Sequence, residues 1–307
     1  MRQTPTIHLT VRYQQTTRTS WDTTDKTNHQ GTFLTWHRFY LHVYETHLQQ
    51  CGYDGNLPYW EWGLDVKSPR DSPVFDGSDT SLGSDGAAIP HEGIQVVMPF
   101  TDIPIPFAPG TGGGCIFKGP FKNLTTHLGP VAVPLYGSPT TGGVENPALD
   151  NPRCITRDLN PDVAKRVNSF RNTTELILNH DNVGDFQGFM SGDPRYVLGQ
   201  VGIHGGGHFI MGGNPGSDPF VSPGDPAFYL HHAQLDRVYW IWQMIDFANR
   251  QKVDGTNTLM NTPPSDNTTV EDYVEVNPLA APVKIKDLMN TVGGSTVAGS
   301  PLCYVYI

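Results

Sequence analysis

Apolar and aromatic residues recur at near-helical spacing across FLTWHRFYLHVYETHLQQ (Phe33 to Gln50). There His37, Leu41, Tyr44 or Glu45, and Leu48 share one face, and Gly52 supplies a C-terminal stop. A nearly continuous apolar run, PAFYLHHAQLDRVYWIWQMIDF (Pro226 to Phe247), follows Asp225 at the N-cap and opens with Pro226 at the first helical position. That pattern predicts a buried helix. Weaker periodicity predicts a helix over 161–182, starting near Asn160-Pro161-Asp162, and a shorter segment over 183–191. NLPYWEWGLD (Asn56 to Asp65) carries Pro58 and three aromatic residues and reads as a packed turn. Residues 1–32 read as a loop with one short element. From about 67 to 160 the pattern is lost among prolines and the glycines of GTGGG (Gly110 to Gly114). So long an irregular stretch is usually functional or stapled. Cys115 and Cys154 lie within it and are the expected disulfide pair, closing a loop worth about 3–4 kcal/mol.

Composition narrows the class. The chain has 307 residues, enough for one large domain or two small ones. It carries 33 Gly and 26 Pro, and only 16% of its residues are charged, which points to a loop-rich globular protein. A net charge of −10 argues against nucleic acid or an anionic membrane as partner. No apolar run approaches the length of a membrane span. Cys51 and Cys303 complete an even count without CxxC spacing, and sequons stand at Asn123, Asn172 and Asn267. Together these favour glycosylation and a secreted, oxidising history. The polar start MRQTPTIHLTVRYQQ contains no signal-peptide segment, so the expectation is a mature chain or an incomplete N-terminus.

The chemistry lies in the histidines. His204 and His208 are four apart and share a helix face, so both can meet one metal ion. The doublet His231–His232 on the next helix can add a third imidazole. A second group, His29, His37, His42 and His47, sits upstream, with His8 before it. Position 205 is Gly, which excludes the zinc-protease pattern, and neither group contains the Glu-x-x-His pairs of di-iron bundles. Zinc is the alternative for a single cluster; two imidazole clusters favour redox copper. GQVGIHGGGHFIMGG (Gly199 to Gly213) is a poor autonomous helix, since each interior glycine costs about 1 kcal/mol. Something outside it must hold it, and its glycines permit a close approach by backbone or a flat substrate.

FLTWHRFYLHVYE (Phe33 to Glu45) resembles the first copper motif of tyrosinases and catechol oxidases. HGGGHF, with SPGDPAFYLHHAQLDRVYWIWQ (Ser222 to Gln243), resembles the second. The chain is thus similar to the type 3 copper proteins, closely over 27–66 and 195–247, and its segments from Gly112 and Asn151 resemble the short fungal members. Tyr304-Val305-Tyr306 resembles the tyrosine motif closing the family's catalytic domain. The resemblance implies a mainly α fold in which a four-helix bundle core holds a dicopper centre, with long loops and a few short strands. It implies a single catalytic domain over 1–307, N-terminally incomplete and without a C-terminal lid domain.

Carried over by position, His29 and His37 match ligands of the first copper, and His204, His208 and His232 those of the second. The remaining first-copper ligand falls to His8, because the position two turns before His29 lies near Trp21. His231, His42 and His47 have no ligand counterpart; adjacent helix residues point about 100° apart, so His231 is not expected on the same ion as His232. Asp236 and Arg237 are expected to support the site through a structural salt bridge, the alternative being a plain pair with each other. No cysteine adjoins His29, so a histidine–cysteine thioether is not expected there.

The implied activity is oxidation of o-diphenols to o-quinones with dioxygen reduced to water, so a small phenol and O2 are the partners. Members that hydroxylate monophenols well often carry Asn after the first ligand of the second copper, with a nearby Glu. Here that position is Gly205, and no Glu lies between Gln187 and His232. Diphenol oxidation is favoured; full tyrosinase activity and o-aminophenol oxidation are the alternatives. Phe209 and Phe220 are candidates for the pocket wall or plain core aromatics. Oxygen carriage, as in haemocyanins, shares these motifs, and an inactive truncated relative is a third alternative.

Overall fold

A computed structural model describes residues 31–98, 101–131, 135–139, 143–295 and 300–307. Its regular structure is mainly helical. α1 (Phe33–Gln50) forms as its periodicity predicts, and the packed aromatic turn contains a short α2 (Trp62–Asp65). α3 (Pro161–Val167), α4 (Phe170–Asn179), α5 (Val183–Ser191), α6 (Gly202–Met211) and α7 (Ala227–Ile245) follow. The helix start at Asn160-Pro161 is as expected: the Asn160 side chain accepts from the N–H groups of Asp162 and Val163. The single helix expected over 161–182 is instead two. Asn168 ends α3, and Ser169 caps α4 by accepting from the Asn172 N–H. That break turns the Asn168 side chain inward, where it is fully buried.

The irregular middle of the chain contains short antiparallel strands. β1 (Gly86–Ala88) pairs with β4 (Gly113–Ile116), β2 (Ile94–Val97) with β3 (Pro104–Phe107) and β6 (Leu135–Tyr136), and β5 (Thr125–Thr126) with β7 (Arg153–Cys154). The expected Cys115–Cys154 disulfide joins two of these patches. A last pair, β8 (Tyr273–Val274) and β9 (Val283–Lys284), lies near α1. Alternation over only two to four residues is too brief to stand out from a loop, which is why the sequence pattern misses these strands.

α7 is the axis of the helical core. It packs against α1, α4 and α6, and α6 also packs against α3 and α5. Two apolar clusters flank it, one built on Trp60, Trp62, Phe186 and Trp242, the other on Tyr40, Tyr44, Tyr229 and Leu288. Tyr44 and Tyr229 stack with ring centroids 3.6 Å apart, pinning α1 to the first turn of α7. Among the described residues no helix is long and apolar enough to cross a membrane.

Candidate metal centre

Three helices deliver histidines to one buried point. His37 comes from α1, His204 and His208 from α6, and His231 and His232 from α7. The rings of His37 and His232 stack with centroids 4.2 Å apart and 10° between planes. His204 lies 5.1 Å from His208 and 5.4 Å from His232, and 6.5 Å from His37. One ligand atom from each of His204, His208, His231 and His232 lies within 4.8 Å of the others. His8 and His29 fall outside the described residues.

Hydrogen bonds fix which nitrogens face inward. A carbonyl only accepts, so His37 donates Nδ1–H to the Phe33 carbonyl one turn back (2.8 Å), and His208 donates Nδ1–H to the Gly216 carbonyl (2.8 Å). Each ring then carries its lone pair on Nε2. His208 Nε2 and His232 Nε2 stand 3.2 Å apart, and His232 Nδ1 is buried without a partner. His208 Nε2 carries a lone pair, so His232 either donates Nε2–H to it or, with its proton on Nδ1, turns a second lone pair towards it, the form in which the two nitrogens can share a cation. Burial disfavours a second proton on any of these rings, so they stay neutral. It lowers His37 to about 3 and His208 to about 4, against the stabilising Phe33 and Gly216 carbonyls. His204, His231 and His232 are pushed well below the usual histidine range, first by burial and then by neighbouring imidazoles. Neutral nitrogen donors with inward lone pairs fit a borderline metal ion such as copper or zinc.

His231 belongs to the cluster by distance, with Nδ1 buried and unpartnered and Nε2 engaged. Its Nε2–H donates to the backbone carbonyl of His204 (3.0 Å), so that nitrogen is not free for the ion His232 faces, in keeping with the angle between neighbouring helical side chains. The glycines of α6 account for the fit. A side chain at Gly206 would overlap Asn168, and one at Gly207 would overlap the His231 ring. The close approach that the glycines allow is therefore made, at these two positions, by protein side chains.

A buried ion pair sits behind the stacked rings. Arg38, next to His37, donates Nε–H to Asp236, one turn beyond His232, at 2.7 Å. Arg38 is completely buried and also reaches Gln243 and the Leu288 carbonyl. Asp236 further accepts from the hydroxyls of Tyr304 (2.6 Å) and Tyr306 (2.7 Å). Both phenols are pushed well above 10, mainly by burial and then by the Asp236 charge, so they stay protonated donors. Asp236 thus makes a structural ion pair, but with Arg38 rather than its neighbour. Arg237 points elsewhere, to Glu61 (2.8 Å) and the face of Tyr59. Sequence reasoning passed over Arg38 because its partner is 198 positions away.

Among the aromatic rings against the histidines are Phe33, with centroids 4.5 Å from His37 and 4.7 Å from His204, and Phe228, 4.1 Å from His232. Each stands one turn before a histidine, at a four-residue spacing. Phe209 is buried in the main core beside Gly205, and Phe220 is only half-buried. His204 is half-buried, whereas the other three members of the cluster are buried. Asn123 and Asn267 are exposed. Asn172 uses its amide to donate to the Arg166 and Val167 carbonyls, stapling α4 to α3, which leaves it poorly placed to carry a glycan. Cys51 and Cys303 are exposed and unpaired.

Comparison with known proteins places this geometry. Residues 3–245 match the common central domain of tyrosinase. Tyrosinase P of Aspergillus terreus is 33% identical over 298 residues, covering 96% of this chain and 80% of that protein. An N-acetyl-6-hydroxytryptophan oxidase of Emericella nidulans is 35% identical over 292 residues, 89% of this chain and 75% of that one. Among solved structures, a glycine-to-asparagine mutant of a polyphenol oxidase from Thermothelomyces thermophila superposes with a TM-score of 0.83 at 34% identity, covering 99% of this chain and 78% of that one.

Proposed function

Because the chain belongs to the tyrosinase family, we propose that it oxidises o-diphenols to o-quinones with dioxygen as oxidant, hydroxylating monophenols weakly or not at all. His204, His208 and His232 would hold one copper ion, and His37, with His8 and His29, the other. Bound copper supplies the electron transfer between diphenol and dioxygen. The protein's own part is positional. Phe33 and Phe228 pack against the ligand rings and keep them in place. The inward lone pairs on His37 and His208 are fixed by backbone carbonyls, so these two rings hold the metal-binding tautomer in advance. A flat phenol would enter over His204, the least buried of the clustered histidines.

The observation that carries the diphenol preference is Gly205. It follows His204 directly and offers no side chain, and the group of ligand-type residues around it consists of histidines alone among the described residues. Position 205 itself therefore supplies no side chain to order a water that could take a proton from a monophenol, whereas a catechol is easier to deprotonate. A Cβ at Gly205 would lie 3.0 Å from Val201 and 3.3 Å from Phe209, so asparagine fits after a small shift of Val201. Gly205→Asn is expected to lower the diphenol-to-monophenol ratio a few-fold, since one positioned hydrogen-bonding group is worth about 1 kcal/mol. Steady-state rates on matched substrates check this; equal rates on both in the parent protein would refute the preference.

A further inference from the structure

The His231–His232 doublet leaves one histidine without a place in a three-ligand site, and the HGGGH run leaves two glycines without one. The structure answers both together. α6 carries two of the clustered histidines, yet three of its ten residues are interior glycines, Gly205 to Gly207, which weakens it by about 1 kcal/mol each relative to alanine. Two side chains from outside grip consecutive carbonyls of its first turn. Asn168 donates Nδ2–H to the Ile203 carbonyl at 2.9 Å, and His231 donates Nε2–H to the His204 carbonyl at 3.0 Å. Both are completely buried. Each reaches its carbonyl by lying in the notch of a glycine, Asn168 against Gly206 and His231 against Gly207. His231 also packs edge-on to His208 (4.6 Å, 82°) and near Trp62 (5.4 Å).

We propose that His231, with Asn168, is a positioning residue: a two-point clamp on the α6 backbone that holds His204 and His208 in metal-binding register. The glycines are then required by the clamp rather than by substrate. This rests on the copper reading above for its functional meaning, but the clamp itself is testable without metal.

His231→Phe keeps a planar ring over Gly207 and removes the donor, while His231→Gln restores an N–H near the position of Nε2. In the parent protein and both variants, copper affinity is measured by chelator competition, and amide hydrogen exchange is followed across residues 203–208 in chelator-stripped protein. His231→Phe is expected to weaken one of the two copper ions by about 10–100-fold and to speed exchange in α6 while α1 is unchanged. His231→Gln is expected to recover most of both. Parent-like affinity and exchange in His231→Phe, or equal loss in both variants, would overturn the clamp. If His231→Phe does not fold, Asn168→Ala decides: faster α6 exchange supports the proposal and unchanged exchange overturns it. Failure of the parent itself to bind copper would instead refute the copper reading, with the exchange data still deciding the clamp.

Discussion

α1 and α6 both bring histidines to the same point, and they do so by opposite means. α1 is eighteen residues without a glycine, and its His37 is aimed by its own helix, through the Phe33 carbonyl one turn back. α6 is ten residues rich in glycine, and it is aimed from outside: His208 by the Gly216 carbonyl in the following loop, His204 by the grip of α7 on its backbone. A ligand on a self-sufficient helix is set by local sequence. A ligand on a weak helix is set by tertiary contacts, and the weakness is what lets those contacts come close.

The largest effect expected from the shared burial is on acid stability. In the unfolded chain these imidazoles take up protons below about pH 6.5. In the native state His208 stays neutral to about 4 and His37 to about 3. The unfolded state therefore binds more protons below 6.5, and stability of the chelator-stripped protein falls as pH drops from 6.5 towards 4. Each such histidine contributes a slope approaching about 1.4 kcal/mol per pH unit. Denaturant unfolding at stepped pH reads it; a flat profile from 6.5 to 5 would contradict the neutral, buried rings.

Next in size is the tie between α1 and α7. Asp236→Ala leaves Arg38 buried without its anion and two tyrosine hydroxyls without an acceptor. The expected cost is about 3–5 kcal/mol in unfolding experiments. A loss under 1 kcal/mol would show that α1 does not depend on this pair. Gly207→Ala tests α6 at smaller scale. The added methyl overlaps the His231 ring, and overpacking of this kind costs about 1–3 kcal/mol. A neutral result in thermal melts would mean that α6 and α7 are not in register as described.

How much of this was legible follows the same division. α1 and α7 were readable because periodicity, Gly52 and the Asp225-Pro226 start are local signals. The inward histidines at 204, 208 and 232 were readable from i,i+4 spacing and resemblance. The split between α3 and α4 has a local signal in the Ser169 cap, but the contact of the Asn168 side chain with Ile203, 35 positions on, has none. The Arg38–Asp236 and Arg237–Glu61 pairs were equally hidden, since an ion pair in sequence suggests its neighbour and the fold supplies distant partners. Phe33 and Phe228 carried the same four-residue spacing as the histidines and could have been found.

The central claim is that histidines from α1, α6 and α7 form a dicopper centre. Metal analysis after copper loading and removal of free ion tests it most directly, run on the parent protein and on His208→Ala. The account predicts about two copper ions per chain in the parent and about one in the variant, because the three-imidazole site of α6 and α7 is broken while that of α1 is spared. One ion or fewer in the parent, or an unchanged content in His208→Ala, would contradict it.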